Sequence, residues 1–253
     1  MPAPVDERRV LVVVGCQRSG TTMLQQSLLD RSWRVVILEE HDRRLVRTDD
    51  PDRILWKPLQ EISHRMMQLP FELVVVKPLV ESHRTIEILN SISKAKAIWM
   101  LRHYLAVAKS DVARFGPENG IRNLSRLVAG DISDWRANCS AEVREQVSVL
   151  IKADLSPLDA AAVFWWARNQ LYFDQHLRED DRVRILRYES LIEAPSECLR
   201  GVSDFLGLSL PSRSMVNAIR QPMRSSGGLH PSVEDLCSGL LARFNGVPEL
   251  APS

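Results

Sequence analysis

Residues 10–15 run Val-Leu-Val-Val-Val-Gly, and this stretch constrains the chain more than any other. Five consecutive β-formers mark a strand buried on both faces. A short loop, Cys16-Gln-Arg-Ser-Gly20, follows it, and residues 21–30 read as a helix. A buried strand, a tight loop and a helix N-terminus together make an anion site. Successive backbone N–H groups converge there, and the helix dipole favours negative charge. The Gly15-x4-Gly20 spacing is that of a P-loop, but Thr21 stands where the Walker lysine belongs, followed by Thr22. Arg18 brings positive charge into the loop instead. With no obvious Walker-B strand either, a P-loop kinase or nucleotide hydrolase is a poor match. The dinucleotide fingerprint also fails, because Gln17 occupies a position that needs glycine.

The remainder alternates short apolar runs with longer helical patterns, the signature of an α/β fold with a central parallel β-sheet flanked by helices. Strands are predicted at 34–38, 73–77, 96–101 and 182–187, and helices at 52–69, 105–114 and from Ala194-Pro195 to near Gly207. Ser82 is placed to cap a helix running to Ile92. From 116 to 178 the β signal vanishes, leaving helical stretches near 119–130, 141–152 and 156–177. This reads as a helical insertion covering the sheet of a single domain, 1–253. The tail from Ser212 reads as mostly loop. In such sheets ligands sit at the carboxyl ends of the strands, here Gly15–Thr22, Glu39-Glu40, Lys77, Arg102 and Tyr188.

Composition adds exclusions. A formal net charge of +1 over 253 residues gives no global attraction to nucleic acid or membrane, so an anionic ligand needs local basic residues. The four cysteines lack C-x-x-C spacing, which argues against a zinc site and a disulfide framework. No run of about 18 apolar residues and no apolar leader stand out, so the chain reads as cytoplasmic, without a membrane span.

Arg18-Ser19-Gly20-Thr21-Thr22-Met23-Leu24 resembles the 5′-phosphosulfate loop of the sulfotransferase family, and two later stretches extend the resemblance. Arg102, with Ser110 eight residues on, is similar to the family's 3′-phosphate motif, although His103-Tyr104 replaces the usual Asp-Pro or Asn-Pro. Tyr188-Glu-Ser-Leu-Ile-Glu-Ala-Pro195, then Phe205-Leu-Gly-Leu208, resembles the family's Tyr-Glu-Asp-Leu segment, whose tyrosine lies beside adenosine. The resemblance runs from Gly15 to Gly207. It implies a P-loop-like sulfotransferase fold and sulfuryl transfer from 3′-phosphoadenosine 5′-phosphosulfate to a hydroxyl or amine. Adenosine 3′,5′-bisphosphate would be the product, and no metal would be required. The donor would be held by Gln17, Arg18, Ser19, Gly20, Thr21, Thr22, Met23, Arg102, Ser110 and Tyr188. Arg224-Ser225-Ser226 stands where cytosolic members close over the 3′-phosphate with Arg-Lys-Gly, but lacks the lysine. Many animal members are Golgi-anchored, so the missing anchor favours a bacterial or soluble enzyme.

The base stays open. Cytosolic members place a histidine two residues after the lysine ending the third strand; here Lys77-Pro78-Leu79 has leucine. Other members use a glutamate after the second strand, which points to Glu39 or Glu40, only one of which can face a pocket. Glu81 and His83 are runners-up. Lys77 is placed to reach the bridging oxygen. Trp165-Trp166 reads as core more than site, and Trp33, Trp56 and Trp135 as packing residues. The missing histidine also leaves room for a non-catalytic nucleotide-binding module. The acceptor's class, whether carbohydrate, lipid, peptide or small metabolite, has no sequence signature.

Overall fold

The computed structural model describes residues 8–28, 35–47, 54, 56–208 and 228–250. Five parallel strands form the sheet: β1 (Arg9–Gly15), β2 (Val35–Leu38), β3 (Leu73–Val76), β4 (Ala95–Leu101) and β5 (Val183–Arg187), in the order β2-β3-β1-β4-β5. β1 is central, pairing Val10 with Val74 on one side and Ala95 on the other. Its valines and leucine are at most 1% exposed, which explains the unbroken apolar run.

Alternation along β1 divides the interior into two layers. Leu11 and Val13 face a layer with α1 (Thr21–Leu28) that also includes Ile98, Met100, Leu186 and Val202. Val10, Val12 and Val14 face a larger layer. On the chain's way back to the sheet come α2 (Leu59–Gln68), α3 (Thr85–Ser91), α4 (Tyr104–Phe115), α5 (Asn119–Ala129), α6 (Ala141–Leu150) and α7 (Pro157–Asp174). After β5 follow α8 (Tyr188–Glu193), α9 (Pro195–Leu206) and α10 (Pro231–Arg243).

α7 is buried almost all round, from Asp159 to Tyr172, as expected of a helix enclosed by neighbours. It packs against α4, α5, α6 and α10 and touches β1. Gly120 lets α5 approach it closely, since a Cβ there would lie 2.6 Å from the Ala161 nitrogen. This gathers α4, α5 and α7 around the carboxyl end of β1.

Three local expectations are corrected. The helix expected at 52–69 begins only at Leu59, because Trp56 bridges antiparallel to Val46 and Pro58 starts the helix. Ser82 caps nothing: the chain turns through a 3₁₀ helix, Leu79–Arg84, before α3, and the Ser82 hydroxyl donates 2.8 Å to the Leu79 carbonyl. Within the described part of the tail, 228–250, the expected loop gives way to α10, which buries Val233, Cys237 and Leu240 at three-to-four spacing. Trp33 and residues 224–226 lie outside the described residues.

Candidate active site

The loop between β1 and α1 is held in a conformation that side chains resist. Arg18 has φ 69°, unusual for a non-glycine residue, and Gly20 has φ 91°. At Gly20 a Cβ would collide with the Tyr188 ring, so glycine is required there twice over. Arg102, at the end of β4, donates from Nη1 to the Arg18 carbonyl at 3.0 Å. Arg18 Nε donates to Ser110 Oγ on α4, also at 3.0 Å. The Arg102 guanidinium lies 4.1 Å from the Tyr188 ring centroid. Three stretches far apart in sequence thus meet around the loop.

The turn carrying Arg102 is fixed from several sides. Trp165 Nε1 donates 3.0 Å to the Arg102 carbonyl, and Glu189 accepts from the His103 N–H at 3.0 Å. The His103 ring accepts from the Leu105 N–H, the capping role an Asp or Asn usually takes. His103 in place of Asp or Asn therefore keeps the helix start intact. Trp165 and Trp166 are core residues, as expected, and Trp165 also supports the site.

The cradle is cationic and unsatisfied. Burial and the neighbouring Arg114 and Arg102 guanidiniums push Arg18 below its usual pKa, with Asp111 opposing them. Arg114 escaped the sequence reading, though it sits one helical turn after Ser110 on α4 and so near the same face. Gln17 Oε1, Ser19 Oγ and Arg102 Nε are buried without a hydrogen-bond partner among the described residues. Orphaned polar atoms around a loop of converging N–H groups are what a multiply charged anion would satisfy. The residues present therefore fit a nucleotide with two phosphate groups. Met23 takes no side-chain part, since it packs into the smaller apolar layer. Thr21 is buried at the helix start.

The two strand-end glutamates separate sharply. Glu39 is exposed and pairs with Lys77 Nζ at 2.7 Å; Lys77 is buried and also donates to Thr22 Oγ1 at 3.1 Å. Glu40 turns the other way, into a cavity of about 460 Å³, and its Oε2 has no hydrogen-bond partner among the described residues. Burial pushes Glu40 above the usual carboxylate range, opposed by His41, Lys77 and the Val80 backbone N–H. Neither runner-up lines this cavity. Glu81 accepts from Arg84 at 3.0 Å, and the His83 ring lies 3.2 Å from the Val80 carbonyl, with burial lowering its pKa to about 4.

Gln17 and Asp111 join this cavity to the cradle, since Gln17 belongs to the loop and Asp111 follows Ser110. Most of the remaining wall comes from α4, α5, α7 and the turn Trp135–Ala137, and includes Phe115, Arg122 and Phe164. Trp135, expected only to pack, is thus a wall residue. Cys16 also lines the cavity, but burial pushes its thiol up to about 12, so it is no nucleophile. The arrangement places a cationic, anion-suited cradle beside a cavity lined by the carboxylates of Glu40 and Asp111.

A search of curated proteins gives no match. Several solved structures share the fold. The sulfotransferase domain from the curacin biosynthetic pathway is 17% identical, covering 95% of this chain and 91% of that one, with TM-score 0.51. A sulfotransferase from Alicyclobacillus acidocaldarius is 19% identical over 94% of both chains, also with TM-score 0.51. One from Mycobacterium avium is 12% identical over 99% of this chain and 79% of that one, with TM-score 0.52. The family model for the sulfotransferase domain matches residues 8–224, spanning the loop, both phosphate-motif arginines and the Glu40 cavity. The chain belongs to the sulfotransferase domain family and carries out sulfuryl transfer.

Proposed function

We propose that the sulfuryl donor is 3′-phosphoadenosine 5′-phosphosulfate and that Glu40 is the general base. The observation carrying this reading is the meeting of Arg18, Arg102 and Ser110 around a loop whose buried polar atoms lack partners. The donor supplies an activated sulfuryl group whose departure leaves adenosine 3′,5′-bisphosphate. Backbone N–H groups from Ser19 to Met23, with Arg18 and Thr22, hold the 5′-phosphosulfate. Arg102 and Ser110 hold the 3′-phosphate; Ser110 accepts from Arg18 and so keeps its own proton to donate. Tyr188, under the Arg102 guanidinium, flanks the adenosine. Arg224, Ser225 and Ser226 would close over the 3′-phosphate.

Lys77, placed by Thr22 and Glu39, neutralises charge on the departing phosphate oxygen. Gln17, lining the cavity from the loop, orients the acceptor hydroxyl or amine. Glu40 takes its proton as the acceptor atom bonds to sulfur in line with the breaking sulfur–oxygen bond. The raised Glu40 pKa suits a base working near neutral pH. No metal takes part in this scheme. We read residues 1–253 as one domain with 116–178 as its helical insertion. The four free thiols support a reducing compartment such as the cytoplasm.

Calorimetric titration with adenosine 3′,5′-bisphosphate, ADP and ATP, with and without magnesium, tests the donor. Micromolar binding of the bisphosphate, weakened roughly 30-fold or more by Arg102→Ala, is expected, since a charge-paired anion contact is worth about 2–5 kcal/mol. Tighter, magnesium-dependent ATP binding would overturn the reading.

A further inference from the structure

The cavity wall opposite the strand ends is unusually rich in arginine. Arg122 and Arg126 lie one turn apart on α5, and Arg136 follows from the 3₁₀ turn Trp135–Ala137; all three line the cavity. Their carboxylate partners are too few. Asp134 is shared, 3.0 Å from Arg136 and 3.5 Å from Arg126. Arg122 bonds the neutral side-chain oxygen of Asn119 at 2.9 Å and has no carboxylate within ion-pair distance among the described residues. Asp111 feels the Arg122 charge without forming an ion pair with it, its oxygens being held by two hydrogen bonds from Asn119.

A fourth cation lies behind the wall. Arg168 is 2% exposed, donates 2.9 Å to the Leu79 carbonyl, and leaves Nε without a partner. No carboxylate ion-pairs with it among the described residues, and its guanidinium lies 4.9 Å from the centroid of the Trp135 ring. Arg136 stacks on the same ring at 4.3 Å. Positive charge thus faces the cavity from the wall and from behind Trp135. A guanidinium fork exposed to a cavity matches a carboxylate or phosphate with two parallel hydrogen bonds. Val80, Val107, Ala161 and Phe164 supply apolar wall between this end and Glu40.

We propose that the acceptor is a small hydroxyl compound carrying an anionic group, a carboxylate or a phosphate, held by Arg122 and Arg126 while its hydroxyl meets Glu40. This rests on the donor and base assignments above and names the acceptor class they leave open. A cavity of about 460 Å³ falls in the range of roughly 300–1,000 Å³ usual for small-molecule sites, so the anion belongs to a metabolite-sized molecule.

The test uses matched acceptors with the full-length protein. These are para-hydroxyphenylacetate beside its amide, β-hydroxyoctanoate beside its amide, and glycerol phosphate beside glycerol. Binding to the enzyme saturated with adenosine 3′,5′-bisphosphate and turnover with the sulfate donor are both measured. At least one anionic member is expected to exceed its neutral partner roughly ten-fold or more, the scale of one or two charge-assisted hydrogen bonds. The first two sets against the third tell carboxylate from phosphate. Arg122→Gln and Arg126→Gln should each raise the KM of that anion and shrink its advantage, with kcat and bisphosphate affinity little changed. The proposal is overturned if no anion outranks its neutral partner, or if both variants leave the ratio intact. Loss of bisphosphate affinity in both variants also overturns it, by assigning these arginines to the donor. Failure of the wild type to bind the bisphosphate would instead sink the donor assignment.

Discussion

Two neighbouring glutamates show how strongly a site depends on which way one side chain turns. Glu39 is exposed and neutralised by Lys77, whereas Glu40 is half-buried at the cavity with one oxygen unpartnered among the described residues. Their replacements should therefore behave differently. Glu40→Gln is expected to lower kcat by about 10²–10⁴, the usual contribution of a positioned base, while bisphosphate affinity holds. The same substitution should raise the melting temperature at neutral pH. Burial lifts the folded-state pKa above the unfolded value, so an ionised Glu40 costs stability there and a neutral amide removes that cost. Glu39→Gln frees Lys77 but leaves the cavity intact, and a loss of no more than about ten-fold is expected. Steady-state kinetics beside thermal melts of both variants check this; a dead Glu39→Gln and an active Glu40→Gln would exchange their roles. The pair could not be separated in the sequence, because adjacent residues at a strand end differ only in direction. Arg18, Arg102, Ser110 and Tyr188 were legible because their spacing follows elements that recur in order.

At the scale of elements, the wall of the cavity depends on how closely α5 approaches α7. Gly120 permits that approach, and a methyl there meets the Ala161 backbone, which no side-chain rotation relieves. Gly120→Ala is expected to cost about 1–3 kcal/mol in a denaturant melt, the range of overpacking. It should raise acceptor KM by displacing Arg122 while leaving bisphosphate affinity near wild type; unchanged stability would show that α5 shifts freely. α5 was readable from hydrophobic spacing, whereas β1, β3 and α7, buried nearly throughout, were readable from unbroken apolar runs and their lengths. The elements misread are those governed by local geometry. Pro58 delays α2, and a 3₁₀ turn displaces Ser82 from its expected cap. The cavity was legible only coarsely, as the helical insertion 116–178 covering the sheet. Its wall collects Glu40, Asp111, Arg122, Trp135 and Phe164 from five segments, and no periodicity records such a meeting.

The whole molecule carries a pH liability at a half-buried histidine of the 3₁₀ turn Leu79–Arg84. His83 has its pKa lowered to about 4 from 6.5, chiefly by burial and then by Arg168. The folded protein therefore binds fewer protons than the unfolded chain between these values, so stability is full above about pH 6.5 and falls as pH drops toward 4. At about 1.4 kcal/mol per pKa unit, the loss approaches roughly 3 kcal/mol. Urea melts at pH 7.5, 5.5 and 4.5 should follow this slope, and His83→Gln should flatten it; an equal slope in the variant would assign the loss to carboxylates instead.

One helix separates the two proposed ligand sites. Ser110 of α4 meets Arg18 at the nucleotide cradle, and Asp111, the next residue, lines the acceptor cavity and opposes the same arginine's depressed pKa. Arg18 thus touches the neutral Ser110 hydroxyl at the cradle and feels the Asp111 charge on the cavity side. Filling the cradle with phosphate relieves the crowding of Arg18 by Arg102 and Arg114 and weakens its hold on Asp111, which changes the cavity the acceptor sees. The two substrates should therefore influence each other's affinity, with a coupling free energy that is the same in either direction. Acceptor titrations with and without adenosine 3′,5′-bisphosphate would show the shift, and Asp111→Asn would shrink it.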